Sequence, residues 1–175
     1  MSKLFRSHGT GQFSRDQFKK VGQNVIFEPG VLVFHPEQIE LSENIYVGHN
    51  SILKGYHNSL MSVAENVWIG QNCFFHSAGG LSIGANVGIG PGVKIITSSH
   101  REEGIAIPIL MSGIQLAPVH IGEDSDVGVG AVILPGVTIG KGVQIGAGAV
   151  VTRNLPDFSV AVGSPARIIR NRATG

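Results

Sequence analysis

An aliphatic or aromatic side chain returns at every sixth position through most of this chain, often with glycine directly after it. Ile121-Gly122, Val127-Gly128, Ile133, Ile139-Gly140, Ile145-Gly146 and Val151 keep that spacing without a break. The same phase holds at Ile83, Ile89 and Ile95, at Val63, Ile69 and Phe75, at Leu41, Val47 and Leu53, and at Val21, Phe27 and Val33. The fifth residue of each unit is usually small or aliphatic too, as at Val67, Cys73, Val87, Val93, Ala131 and Val143. Apolar positions two or four apart fit strands, whose side chains alternate faces, and do not fit helices. A short strand and a turn every six residues cannot lie in one flat sheet. Three units close a triangular coil of about 18 residues, and coils stack as parallel strands roughly 4.8 Å apart.

In that phase six coils are expected, over 21–38, 41–58, 63–80, 83–100, 121–138 and 139–156. The gaps between them hold 2, 4, 2, 20 and 0 residues, so one long loop, 101–120, is predicted to project from the coil. Glycine supplies 25 of 175 residues, about twice the roughly 7% of an average chain, as tight turns require. Ser14 and Gln17 have capping-box spacing, with Phe13 and Phe18 placed as a hydrophobic staple. A short helix over 14–20 is therefore expected to cover the first coil. The chain divides into a cap, 1–20, an all-β coil, 21–156, and a tail, 157–175, that leaves the repeat beyond Pro156.

Charged residues make up only 14% and the net charge is +1, so no global field draws the chain to nucleic acid or an anionic membrane. No apolar run approaches the roughly 18 to 20 residues of a membrane span, and the N-terminus has no apolar core of a signal peptide. A single cysteine, Cys73, excludes an internal disulfide and any CxxC pair. A cytoplasmic protein without membrane insertion is expected. No histidine pair has metal-site spacing, and Cys73 falls at an inward position, so no metal is expected.

His100 ends the fourth coil, directly before the only long loop, and projecting loops of a solenoid carry function. An imidazole titrates near 6.5, so it is largely neutral at pH 7, as a general base must be. Gly80 occupies the same position one coil earlier and follows Gly79, which leaves bare backbone and room for an acceptor. His76 lies one coil away and four positions along, about 13 Å at a strand's rise, which argues against a dyad within one chain. It either lines the acceptor groove or is a surface histidine. Glu102, Glu103, Asp124 and Asp126 are candidates to orient His100, with simple solvation as the alternative. Arg153, Arg167, Arg170 and Arg172 concentrate cations at the C-terminal end, where a phosphate-bearing ligand would need them. Gly128-Val129-Gly130 and Gly146-Ala147-Gly148 expose backbone that either binds a narrow amide-bearing chain or serves only the turns.

Several segments together resemble the hexapeptide-repeat acyltransferases. They are Thr97-Ser98-Ser99-His100, Pro118-Val119-His120-Ile121-Gly122, Ile133-Leu134-Pro135-Gly136-Val137-Thr138-Ile139-Gly140, Gly146 to Arg153, and Val162-Gly163-Ser164-Pro165-Ala166-Arg167. The resemblance implies a left-handed parallel β-helix that assembles as a homotrimer with three active sites, each between neighbouring chains. It implies acetyl-CoA as co-substrate and His100 as general base. It implies cofactor contacts at Gly128, Ala147, Thr152, Arg153 and Arg167, to which the bare backbone adds Gly130. His76, Gly79 and Gly80 are the expected acceptor side. Many relatives carry Trp where this chain has Asp126, so the cofactor groove or acceptor pocket is expected to differ there.

The expected reaction is direct attack of a sugar on acetyl-CoA, without an acyl-enzyme. The favoured acceptor is the amine of a nucleotide-linked amino sugar in surface-polysaccharide or lipopolysaccharide biosynthesis. That preference rests on the early coil from Val21, in place of the long N-terminal helical segment of many sugar O-acetyltransferases, and on room beside Gly79 and Gly80. A sugar hydroxyl is the alternative. A non-catalytic trimeric scaffold is the rival class, though a scaffold has no need of His100 or of the arginine tail.

Overall fold

The computed structural model describes residues 4–174, so the first three residues of the cap and the last of the tail lie outside it. The chain winds as a left-handed parallel β-helix with three faces, each a sheet of short parallel strands. On the first face Val21, Leu41, Val63, Ile83, Ile121 and Ile139 are successive register partners. On the second they are Phe27, Val47, Ile69, Ile89, Val127 and Ile145. On the third they are Val33, Leu53, Phe75, Ile95, Ile133 and Val151. These are the residues of the six-residue repeat, in the phase that the spacing predicts. All but Val21 and Phe27 are buried, and together they line the axis of the coil as one core.

Asn24, Asn44, Asn66, Asn86 and Asp124 turn the corner between the first and second faces, each with φ between 51° and 59°. Asparagine tolerates this left-handed conformation better than most side chains. Their side chains form a ladder, each carboxamide donating to the next acceptor at 2.7, 2.8, 3.2 and 3.0 Å. Lys141 ends the ladder, 3.4 Å from Asp124 and 2.6 Å from Glu123.

The ends differ from expectation in two ways. The helix expected over 14–20 is a single 3-10 turn, Arg15–Gln17, because Lys20–Val21 is already a strand paired with Glu40 and Leu41. The N–H of Ser14 still donates to Gln17 Oε1 at 2.9 Å, and Phe13 meets Phe18 edge to face. Arg15 donates to the carbonyls of Val25 and Gly22 at the open end of the first coil. The tail does not leave the repeat at Pro156. Leu155 pairs with Ile139, and Ser159–Val162 adds a parallel strand to the second face, starting a seventh turn. Arg167–Asn171 then folds back antiparallel. The exposed edge of the sixth coil offers unpaired backbone groups, and the tail satisfies them.

All the insertions between coils leave from one corner, where the third face passes to the first. The 3-10 turn Pro36–Gln38, the turn joining Tyr56 to Ser59, the bare pair Gly79-Gly80 and the long excursion share it. That corner is where the fold departs from the minimum needed to close the coil.

Candidate active site

The excursion is a β-ribbon. Ser98–His100 leaves the coil and pairs antiparallel with Ile114–Leu116, so His100 stands on an outgoing strand and not at the end of a coil strand. The ribbon thus spans 98–116 instead of 101–120, since Val119–Ile121 already lies on the first face beside Leu81–Ile83. At its neck the N–H of Ala117 donates to the Thr97 carbonyl at 3.0 Å. Gly79 makes this neck possible. A Cβ there would stand 2.5 Å from the Thr97 carbonyl oxygen and 2.7 Å from the Ala117 nitrogen. The space expected beside Gly79 is therefore filled by backbone. At Gly80 a Cβ would meet nothing nearer than 3.7 Å, and its φ of +98° calls for glycine instead.

Residues directly opposite in an antiparallel pair point to the same side, and side chains alternate along each strand. Ser98 faces Leu116 and His100 faces Ile114, so all four share one face of the ribbon. Ser98, Ile114 and Leu116 close one side of a recess of about 280 Å³ whose other side carries Tyr56 and His76. The 13 Å expected between His76 and His100 assumed a straight strand, whereas the chain turns outward after Thr97. His100 thus projects from the ribbon face that closes the recess in which His76 forms a wall.

His76 ends the strand Phe74–His76 with Lys54 as its register partner. The Tyr56 hydroxyl lies 2.8 Å from its Nε2. Burial lowers the pKa of the imidazole, and the ammonium of Lys54 lowers it further, so His76 is neutral at pH 7. The Nδ1 atoms of both His76 and His100 are buried without a hydrogen-bond partner among the described residues. None of the four carboxylates considered for His100 is hydrogen-bonded to it among the described residues. Asp124 belongs to the asparagine ladder, and Asp126 lies on the second face over Gly88.

The six expected cofactor residues fall into two groups. Gly128, Gly130 and Ala147 lie at the corner between the second and third faces. Gly128 is glycine because of stacking, since a Cβ would stand 2.6 Å from the Ala147 nitrogen. Gly130 and Gly148, by contrast, open onto free space at φ +69° and +67°. Arg167 is exposed nearby, opposite Val162, whose side chain covers Gly146. Thr152 and Arg153 follow Val150–Val151 and are exposed at the other corner, the one that carries the ribbon. Neither Arg153 nor Arg167 pairs with a carboxylate among the described residues, whereas Arg172 is committed to the carbonyl of Gly142 at 2.6 Å. Among the described residues no three metal-ligating side chains are grouped to hold an ion, and no helix is long and apolar enough to cross a membrane.

A family profile described as "Bacterial transferase hexapeptide (six repeats)" matches residues 118–153. Nodulation protein L of Rhizobium meliloti is 39% identical over 157 residues, covering 89% of this chain and 72% of that protein. The galactoside O-acetyltransferase of Escherichia coli is 31% identical over 158 residues, covering 89% of this chain and 65% of that protein. The chain spans about half the length of two other acetyltransferase relatives, 45% and 47%. Among solved structures, a maltose O-acetyltransferase from Clostridium difficile is 30% identical with a TM-score of 0.57, covering 90% of this chain and 71% of that one. The N-acyltransferase AntD from Bacillus cereus, solved with dTDP-4-amino-4,6-dideoxyglucose and coenzyme A, is 22% identical. It shares the fold at a TM-score of 0.80 over 90% of this chain and 86% of its own.

Proposed function

The chain belongs to the hexapeptide-repeat acetyltransferases, and on that footing we propose that it moves an acetyl group from acetyl-CoA to a hydroxyl of a sugar. One observation carries the proposal: His100 shares a ribbon face with Ser98, Ile114 and Leu116, which close a recess against His76 and Tyr56. The acceptor sugar sits in that recess, and His100 Nε2 takes the proton of its hydroxyl as the oxygen attacks the thioester carbonyl. A backbone N–H steadies the oxyanion, and the imidazolium returns the proton to the departing thiolate, so no acyl-enzyme forms.

Acetyl-CoA lies along bare backbone at Gly128, Gly130 and Ala147, with Thr152, Arg153 and Arg167 toward its phosphates. Those residues occupy two corners of one coil. Side-by-side chains would bring the corner of one against the other corner of its neighbour, which supports a homotrimer with its sites between chains.

The amine of a nucleotide-linked amino sugar, favoured by the sequence, ranks second. A diphosphate needs several cations, and beside the His76 recess, which no Arg or Lys lines among the described residues, stands the single ammonium of Lys54, 5.5 Å from the Tyr56 ring centroid. Two relatives of 30% identity or more whose names state an acceptor are a galactoside and a maltose O-acetyltransferase. Thiol release from acetyl-CoA, followed with maltose, a galactoside and a dTDP-linked amino sugar, tests the proposal. Transfer to the first two supports it, and transfer to the amino sugar alone replaces the hydroxyl by the amine. Absence of acetyl-CoA binding by calorimetry would leave a scaffold.

A further inference from the structure

A second concavity lies on the first face, around the corner from the first. It measures about 380 Å³, and Asn58, Ala78 and Leu116 line both, so the two form one groove that bends under the neck of the ribbon. Its far end holds an arrangement that the transfer reaction does not use. Ser82 and His120 are register partners on adjacent strands, and Ser82 Oγ lies 2.7 Å from His120 Nδ1. The pairing spans 38 positions of sequence because the whole ribbon is inserted between the two strands. With the serine hydroxyl donating to Nδ1, the exposed Nε2 carries a proton outward, and the serine oxygen keeps a free lone pair. Donor and acceptor so placed match two neighbouring hydroxyls of a sugar, one accepting from Nε2 and the other donating to Oγ. Leu60, Leu116 and Pro118 offer the apolar surface on which the C–H face of a pyranose rests. Among the described lining residues there is no Arg, Lys, Asp or Glu, which suits a neutral ring and leaves a nucleotide diphosphate unpaired.

We infer that this first-face concavity is a saccharide subsite, in which Ser82 and His120 hold a second, neutral sugar ring of an acceptor whose reacting ring lies in the His76 recess. The inference rests on the acetyltransferase reading for the reacting ring alone. The subsite makes disaccharides and longer glycans better ligands than monosaccharides.

Saturation-transfer NMR with the full chain tests this, using glucose, maltose, maltotriose, galactose, lactose and dTDP-glucose. At least one disaccharide should bind several-fold tighter than its monosaccharide. Ser82→Ala and His120→Ala should each cut that advantage about three- to tenfold, the worth of one net hydrogen bond, while the affinity for acetyl-CoA stays as in the parent chain. An advantage that survives both substitutions overturns the subsite. So does the lack of any disaccharide preference, or tighter binding of dTDP-glucose. If the chain transfers no acetyl group but loses its disaccharide preference on substitution, the acetyltransferase reading fails and the subsite stands.

Discussion

The Tyr56 hydroxyl lies 2.8 Å from Nε2 of His76, and the two rings meet edge to face with centroids 4.8 Å apart. The tyrosine holds the imidazole against the recess without adding charge. Replacing it with Phe keeps the ring packing and removes one hydrogen bond. Tyr56→Phe should therefore raise the apparent KM for the sugar about three- to tenfold, with that for acetyl-CoA unchanged. Steady-state kinetics in both substrates reads the split, and an equal effect on the two would separate Tyr56 from the acceptor side.

The same imidazole makes stability depend on pH. Burial and Lys54 hold the folded pKa of His76 below 6.5, so below pH 6.5 the unfolded chain binds a proton that the folded chain resists. Stability should fall as the pH drops through about 6.5 toward the folded value, and should be insensitive to His76 above that window. Urea midpoints between pH 5 and 8 should fall less steeply on acidification in His76→Asn than in the parent chain.

The asparagine ladder sets a different expectation. Asn66 donates to Asn86, accepts from Asn44 and holds a φ of 58°. Asn66→Gly removes the hydrogen bonds but keeps the left-handed turn easy, and should cost about 1 kcal/mol. Asn66→Ala also meets the steric penalty of that turn and should cost roughly 1 to 2 kcal/mol more. Chemical denaturation that ranks the two in the opposite order would remove the turn from the account.

The coil was legible because its signal is one-dimensional. Every inward residue repeats at six, and each register partner lies a coil of 18 residues plus at most four away, except across the ribbon, where the separation is 38. The ribbon strands lack that mark. Ser98-Ser99-His100 is polar, and Ile114 and Leu116 alternate with Gln115 outside the phase, so only a turn-back across 101–113 reveals their pairing. His100 was found because it borders the break in the repeat, yet its strand direction was not, and so the apparent distance to His76 was set along the wrong line. Tyr56 went unnoticed because it lies in a turn between coils. Ser82 and His120 went unnoticed because their contact exists only after the ribbon is excluded from the count. The tail was misread because its inward pair, Leu155 and Ala161, keeps the six-residue spacing but is slipped by two residues from the phase that ends at Val151.

His100→Ala should lower turnover by about 10² to 10⁴ and leave the circular dichroism spectrum unchanged, since the ribbon is held by backbone pairing. A hydroxyl acceptor is barely acidic and leans fully on the base. An amine is nucleophilic once neutral, so with an amine acceptor raising the pH toward 9 should partly rescue the variant. Lack of rescue supports the hydroxyl, and near-normal turnover in an assay limited by chemistry would take His100 out of the mechanism.

The division of the proposed cofactor residues between two corners yields the last expectation. Arg167 stands near the corner of Gly130 and Ala147, while His100 and Arg153 share the other corner. If each site joins one corner of a chain to the opposite corner of its neighbour, His100 and Arg167 act on one acetyl-CoA from different chains. Arg167→Ala should raise the KM for acetyl-CoA about ten- to a hundredfold, the worth of a charge-assisted bond, and His100→Ala should lower turnover by the roughly 10² to 10⁴ of a lost general base. Mixing the two variants after mild dissociation should then restore sites that hold both native residues, about a quarter of them by random assortment in a trimer. Activity at limiting acetyl-CoA should rise above that of either variant alone, and light scattering should report three chains per particle. A mixture no more active than the sum of its parts would place His100 and Arg167 in the same chain's site.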